Sequence, residues 1–141
     1  MPEFVYTSDA NPVLPVFYQA VISNSKETIY VSGNIGCDKN FKLVGDVKAQ
    51  TRAALENIAV ILKAAGSGLE HIVKANIYLT NMPRDFAPMQ RYNYLNISFR
   101  RPAYTHSQWD KGKMPARTCI GVASLPMGAD FEIECTAEIP K

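Results

Sequence analysis

Apolar positions between Asp46 and Ala65 repeat at spacings of three and four, which predicts an amphipathic helix. Asp46 is suited to cap its N-terminus by accepting a hydrogen bond from a free backbone N–H. Gly66 follows the helix, where a left-handed residue is preferred. The apolar stripe indicates that one helix face packs against a large apolar surface. Its members are Val47, Thr51, Ala54, Leu55, Ile58, Ile61, Leu62 and Ala65.

A second helix is predicted to start near Asp85. Pro88 would then lie in the first turn, where the missing backbone N–H of proline is tolerated. Apolar residues fall on one side of this helix, at Phe86, Met89 and Tyr92.

Four segments have the composition and the alternation of β-strands. They are Glu27–Gly33, Lys74–Thr80, Arg117–Ala123 and Phe131–Ile139. The segment between the last two, Ser124–Asp130, contains Pro126 and Gly128. These residues are typical of turns, so the last two strands are predicted to pair as an antiparallel hairpin.

This order of strands and helices predicts an α+β fold in which two helices pack on one face of a sheet. The opposite face is not uniformly polar, because Tyr78, Cys119, Gly121 and Ala123 are expected there. An uncovered sheet face of small and apolar residues usually meets another subunit. The sequence therefore predicts an oligomer.

The predicted hairpin also places candidate chemistry on the face away from the helices. Arg117, Cys119 and Gly121 would share that face with Glu132 and Glu134. An arginine can bind a carboxylate through two parallel hydrogen bonds, and a neighbouring glutamate can exchange protons with a bound water. The alternative is a cross-strand ion pair on a solvated sheet face.

The composition corresponds to one globular domain spanning the 141 residues, with 47% apolar and 20% charged residues. The net charge of +2 is too small to indicate nucleic-acid binding by itself. The longest apolar run, Ile58–Leu62, is far shorter than the roughly 20 residues of a membrane helix. No signal or transit peptide is recognisable, so we expect a cytoplasmic protein with no membrane partner.

Metal and thiol chemistry are not favoured by the sequence. Three cysteines and two histidines occur at long spacings, which argues against a metal site and against a disulfide scaffold. Cys119 has no histidine near it in the sequence, so packing is favoured over a nucleophilic role.

Basic and aromatic residues alternate between Ser98 and Arg117, a pattern suited to single-stranded RNA. A solvated loop with a few apolar anchors is the favoured alternative. The residues are Phe99, Arg100, Arg101, Tyr104, Trp109, Lys111, Lys113 and Arg117.

The segment Pro115–Glu138, PARTCIGVASLPMGADFEIECTAE, closely resembles the C-terminal signature of the RidA/YjgF family of reactive-intermediate imine deaminases. Three further stretches agree with that family, namely Gln19–Val21, Ile29–Ile35 and Val73–Met82. The resemblance therefore covers nearly the whole chain.

This resemblance implies a homotrimer of chorismate-mutase-like α+β subunits, with a site in each cleft between neighbouring subunits. It implies hydrolysis of enamines and imines, such as 2-aminoacrylate and 2-iminobutanoate, to 2-keto acids and ammonia without a cofactor. Carried over by residue, Arg117 would bind the substrate carboxylate and Glu132 would orient the water. Cys119 would contribute chiefly backbone contacts, and Ser32 would line the pocket.

Three positions or segments depart from the family pattern. Phe17 stands where many relatives carry a tyrosine, and Gln90 stands where they carry an asparagine. Tyr92–Lys113 is longer than the usual connection, and any RNA-related activity would reside there. An endoribonuclease or translation inhibitor and a small-ligand-binding trimer stay open as alternative functions. A mitochondrial location stays open because some relatives are mitochondrial.

Overall fold

The computed structural model describes residues 1–99 and 114–141. Its described strands form one six-stranded sheet in the order β1-β2-β3-β6-β4-β5. These strands are β1 (Glu3–Val5), β2 (Ala20–Ile22), β3 (Thr28–Ile35), β4 (Ile72–Leu79), β5 (Ala116–Gly121) and β6 (Phe131–Glu138). Two α-helices, α1 (Val47–Ala64) and α2 (Met82–Phe99), pack on one face of the sheet and on each other. The predicted α+β class with two helices on one face is confirmed.

The first helix is confirmed with the predicted cap. The Asp46 carboxylate accepts hydrogen bonds from the backbone N–H groups of Lys48 and Ala49, both at 3.1 Å. Gly66 follows the helix with φ +80°, the left-handed conformation that glycine adopts without a steric cost. The predicted stripe faces the sheet, and all eight of its residues are buried.

The second helix starts at Met82, three residues before the predicted Asp85. Its true cap is Asn81, whose side-chain oxygen accepts the backbone N–H of Arg84 at 3.1 Å. Pro88 therefore lies inside the helix and not in its first turn, which corrects the prediction.

The predicted apolar side of α2 is confirmed at Met89, which is completely buried. Phe86, predicted on the same side, is 37% exposed. The side chain of Tyr92, predicted on the same side, lies outside the described part of the helix.

The predicted hairpin between the last two strands is wrong. β6 lies between β3 and β4 and is antiparallel to both, whereas β5 pairs with β4 in parallel at the sheet edge. Burial explains this placement. The apolar positions of β6, Phe131, Ile133, Cys135 and Ala137, are all buried, which suits a central strand. β5 is exposed at every position except the partly buried Cys119, as an edge strand allows.

The parallel pairing of β5 also reverses its predicted faces. Arg117 and Cys119 stand opposite the buried residues Ala75 and Ile77 of β4 and therefore lie on the helix-covered face. Gly121 lies there too, because a Cβ at this position would meet Met82 of α2.

The two glutamates of β6 lie on the other face. Glu132 and Glu134 stand opposite Tyr78 and Asn76 of β4, on the side away from the helices. The prediction that Arg117 shares a face with these glutamates is therefore wrong for a single chain.

The face away from the helices exposes apolar side chains in the single chain. Phe4, Tyr30 and Ile120 are each about half exposed. Cys119 and Gly121, which were predicted on this face, lie under α2 instead. Within the described residues, no helix is long and apolar enough to cross a membrane.

Candidate active site

A concave pocket of about 800 Å³ lies beside the second half of β3. β2 pairs with β3 only as far as Val31, so β3 continues past it along the open side of the pocket. The chain leading into β2, which carries Phe17, forms an opposite wall. Three predicted site residues, Phe17, Ser32 and Glu132, line this pocket together.

Glu132 is half buried in the pocket and lies against the backbone of β3. A Cβ added to Gly33 would overlap Glu132 Oε1, so glycine leaves room for the carboxylate in its present position. Burial raises the pKa of Glu132, and the negative charge of Glu134 raises it further. In the part of the chain that the structure describes, no side chain donates a hydrogen bond to Glu132. The carboxylate is therefore available to a water molecule.

Glu134 has a different environment two residues along the same strand. Its Oε1 accepts hydrogen bonds from the Tyr78 hydroxyl at 2.7 Å and from Asn76 Nδ2 at 3.1 Å. The hydrogen bond to the carboxylate raises the pKa of Tyr78, so Tyr78 stays protonated as a donor. These two hydrogen bonds fix the Glu134 carboxylate on the strand, two residues from Glu132.

Two hydrogen-bonded connections hold the start of β6, and with it Glu132, in place. Gln50 of α1 donates to the Asp130 carboxylate at 3.1 Å and accepts the Asp130 backbone N–H at 2.9 Å. Arg84 of α2 binds Asp85 with two hydrogen bonds of 2.7 Å and Asp130 with one of 2.9 Å. Both helix starts therefore converge two residues before Glu132.

Ser32 of β3 hydrogen-bonds the segment that leads into β2. Its hydroxyl donates to the backbone carbonyl of Tyr18 at 2.6 Å, and its backbone N–H donates to that of Gln19 at 3.1 Å. Gln19 is only 1% exposed, and its side chain bonds the backbone of Thr7 and Asn11. Phe17 directly precedes these two hydrogen-bonded residues, Tyr18 and Gln19, so its backbone position is held by the same contacts.

Three asparagines form a hydrogen-bonded chain at the base of the pocket. The Asn57 side chain accepts the Asn11 backbone N–H at 2.7 Å and donates to Asn34 Oδ1 at 2.5 Å. Asn34 in turn donates to the carbonyl of Ser32 at 2.7 Å. The Asn11 side chain donates to the Cys37 carbonyl at 2.7 Å. All three side-chain amides therefore bond within the protein and hold the wall in position.

Arg117 lies in a second cluster, on the face covered by the helices. Its Nη1 donates to Gln90 Oε1 on α2, and its guanidinium carbon lies 6.0 Å from the centre of the Phe86 ring. These contacts orient an exposed guanidinium whose remaining N–H groups can bind an anion.

Cys119 is partly buried beside Arg117. Burial raises the pKa of its thiol, although the charge of Arg117 partly opposes this effect. The thiol therefore stays protonated at neutral pH, which suits packing better than nucleophilic attack.

The six predicted site residues thus form two groups in one chain. Glu132, Ser32 and Phe17 share the pocket, whereas Arg117, Cys119 and Gln90 lie together on the helix-covered face. Sequence reasoning missed Gly33 and the Glu134–Tyr78 contact. A lone glycine inside a strand pattern signals close approach of another group and points to Gly33.

A metal centre has no support in the described residues, where no three His, Cys, Asp or Glu side chains cluster to hold an ion. His71 Nε2 lies 3.7 Å from Glu70 Oε1, and neither residue lines the pocket.

Comparison with known proteins agrees with the fold and with the family signature. The family model for endoribonuclease L-PSP matches residues 9–139. The RutC family protein UK114 of Drosophila melanogaster is 40% identical over 130 residues, covering 91% of this chain and 82% of that protein. The human 2-iminobutanoate/2-iminopropanoate deaminase is 34% identical over 135 residues, covering 94% and 87%.

The crystal structure of RidA from the Antarctic bacterium Psychrobacter superposes on this chain with a TM-score of 0.80 at 33% identity. It covers 97% of this chain and 99% of its own. The match of sequence, fold and C-terminal signature places the chain in the RidA/YjgF family, which the family model describes as endoribonuclease L-PSP.

Proposed function

We propose that this protein hydrolyses reactive 2-imino and 2-enamino acids to 2-keto acids and ammonia. The observation that carries the proposal is the half-buried Glu132 carboxylate, which lies in a pocket with its pKa raised and Gly33 leaving room for it. The names of the human and rat relatives, both 2-iminobutanoate/2-iminopropanoate deaminases at 34% identity, support the reaction class.

The proposed hydrolysis needs one group that transfers protons and one bound water. An enamine first tautomerises to an imine, whose C2 carbon is electrophilic. Glu132 takes a proton from a water as its oxygen attacks C2, which gives a tetrahedral intermediate carrying the amine. Glu132 then returns the proton to the nitrogen. It next transfers the hydroxyl proton of the intermediate to the same nitrogen, the C–N bond breaks as the carbonyl forms, and a 2-keto acid and ammonia leave. A raised carboxylate pKa suits these proton transfers.

Arg117 would bind the substrate carboxylate through its planar fork and so fix C2 beside the water. Because Arg117 and Glu132 lie on opposite faces of the sheet, we propose that each site takes Arg117 from one protomer and Glu132 from its neighbour in a homotrimer. The exposed apolar groups of the uncovered face, Phe4, Tyr30 and Ile120, would be buried in that assembly.

The direct test is coupled turnover. An amino-acid oxidase generates the imine, semicarbazide traps what survives, and the trapped fraction is measured with and without this protein. We expect the protein to lower the trapped fraction.

Glu132→Gln should reduce turnover by about 10²–10⁴-fold, because glutamine keeps the shape but cannot accept a proton. Arg117→Lys should also lose most turnover, because lysine keeps the charge without the fork.

Pyruvate is a stable 2-keto acid, and its binding distinguishes the loss of the base in Glu132→Gln from the loss of the carboxylate contact in Arg117→Lys. Pyruvate binding should survive in Glu132→Gln and weaken in Arg117→Lys. Full turnover in Glu132→Gln would refute the assignment of the base. Protection of a bound ligand without any turnover would instead favour a ligand-binding trimer.

Endoribonuclease activity is the second candidate, because the matching family model carries that name. The basic and aromatic residues that favour it lie mostly outside the described residues. Cleavage of single-stranded RNA that falls steeply with added salt, and that persists in Glu132→Gln, would support this function over imine hydrolysis.

A further inference from the structure

Within one chain, before a neighbour contributes Arg117, the pocket beside Glu132 is much larger than a three-carbon imine requires. Its volume of about 800 Å³ lies within the range of about 300–1,000 Å³ found for pockets that hold drug-sized ligands. The Asn34 and Asn57 amides that line it are hydrogen-bonded to each other, and Glu132 and Glu134 are its two carboxylates. Most of the remaining wall is apolar, formed by Val13, Leu14, Phe17, Phe41, Ile61 and Met127.

Met127 occupies a backbone conformation that its side chain disfavours. Its φ is +60° and that of Gly128 is +72°, and the Ala129 N–H donates to the Pro126 carbonyl at 3.1 Å. Two successive positive φ values define a turn that prefers asparagine, aspartate or glycine at its first central position. Here that position carries a large apolar side chain at the pocket wall.

Phe41 repeats this pattern in a different loop. Its φ is also +60°, in a turn where its N–H donates to the Asp38 carbonyl at 3.0 Å. The Asp38 N–H in turn donates to the Lys42 carbonyl at 2.9 Å, which closes a short loop whose left-handed position is usually glycine. A bulky residue with positive φ is a conformational outlier, and such outliers cluster at ligand sites.

The described residues contain one other non-glycine residue with positive φ, Lys26, which lies in an exposed turn away from the pocket. Two of these three strained positions therefore place apolar side chains on the same pocket wall. Both turns would form more readily with asparagine or glycine, so the turns themselves do not account for the large apolar side chains of Phe41 and Met127.

We propose that the pocket selects 2-imino acids with bulky apolar side chains, of the kind derived from leucine or phenylalanine, and that Phe41 and Met127 determine this specificity. The inference rests on the proposed function, because it places the reacting C2 carbon beside Glu132. The substrate side chain would then extend along the apolar wall, where each buried methylene strengthens binding about fourfold.

The test compares imines generated by an amino-acid oxidase from leucine, phenylalanine and alanine, each measured by semicarbazide trapping. We expect kcat/KM to be about tenfold or more higher for the two bulky imines than for the alanine imine. Phe41→Asn and Met127→Asn should each reduce that ratio several-fold, mainly through KM for the bulky imines. The loss of kcat/KM should be smaller for the alanine imine than for the two bulky imines, because its side chain is too short to contact the apolar wall.

Lys26→Asn is the matched control, because it introduces the same residue at a positive φ outside the pocket. It should leave the ratio unchanged. Asparagine suits all three backbone conformations, so each variant should fold at least as well as the native chain, as a thermal melt would show.

The outcomes separate the two proposals. If the protein accelerates only the alanine imine, or if both pocket variants keep the native ratio, the selectivity is refuted and the imine hydrolase stands. If it accelerates no imine, the proposed function fails and this inference fails with it.

Discussion

Two carboxylates on one strand have different environments in this protein. Glu134 is held by Tyr78 and Asn76, whereas Glu132 receives no hydrogen bond within the described residues and lies in the pocket. Such separation of neighbouring carboxylates is a common way to obtain one stable charge and one proton carrier. It suits Glu132 to the role of general base.

Replacing Glu134 by glutamine should lower the pKa of Glu132, because one negative charge that raises it is lost. The acidic limb of the pH–rate profile for kcat/KM should therefore move to lower pH. Glutamine can still accept hydrogen bonds from Tyr78 and Asn76, so the strand should keep its geometry. Tyr78→Phe serves as a control that retains the charge of Glu134. An acidic limb that does not move would show that another group controls the rate.

Burial of Glu132 also has a predictable effect on stability. Its pKa is raised in the folded protein, so the folded state binds the proton more tightly than the unfolded state does. The ionised carboxylate therefore costs stability above the folded pKa, and the cost disappears as the pH falls below the unfolded value. Glu132→Gln should be more stable than the native chain to urea at pH 7. The difference should shrink toward zero near pH 4.

Helices and strands were predictable from the sequence to different degrees. The cap at Asp46 and the stripe of α1 are local signals, so the helix is confirmed to within a residue at each end. Strand pairing is not local. β5 alternates Arg117, Cys119 and Gly121 with Thr118 and Ile120, so neither set is clearly the apolar one. The assignment of β5 side chains to the two faces of the sheet depends on the strand with which β5 pairs. Because the sequence predicts pairing with β6 instead of β4, it assigns these side chains to the wrong faces.

The close approach of β3 and β6 makes Gly33 a sharp test of the site. Gly33→Ala should displace the Glu132 carboxylate, because the new methyl group would occupy the space of Oε1. Displacement by about 1 Å costs about 10²-fold in rate, so turnover should fall by at least that factor. Circular dichroism should show an intact fold.

Gly66→Ala provides the contrasting glycine variant. Gly66 has φ +80° and open space around it, so alanine there should lower the melting temperature without changing turnover. Equal turnover in Gly33→Ala and the native protein would separate Glu132 from catalysis.

At the scale of the whole molecule, one chain carries two incomplete halves of the proposed site. Arg117 reaches the helix-covered face, and Glu132 reaches the pocket around β3. An assembly in which neighbours complete one another follows naturally from this arrangement. Sedimentation equilibrium should therefore give a trimer, and a stable monomer at micromolar concentration would contradict the shared site.

Mixing two inactive variants tests the shared site directly. Arg117→Ala and Glu132→Gln, unfolded together in equal amounts and refolded, should regain about one quarter of the native activity, because a site is intact only when each half comes from the unmutated source. Each variant refolded alone should remain inactive. No recovery in mixed trimers would show that both residues serve one site within a single chain.

The central position of β6 also determines when this protein can fold during its synthesis. β6 follows the other five described strands along the chain, yet it joins β3 to β4 in the sheet. Without β6, the strands β1 to β3 and the pair β4–β5 share no backbone pairing, and the facing edges of β3 and β4 stay unpaired. These two edges can therefore pair only after β6 has left the ribosome, and until then both are open to aggregation.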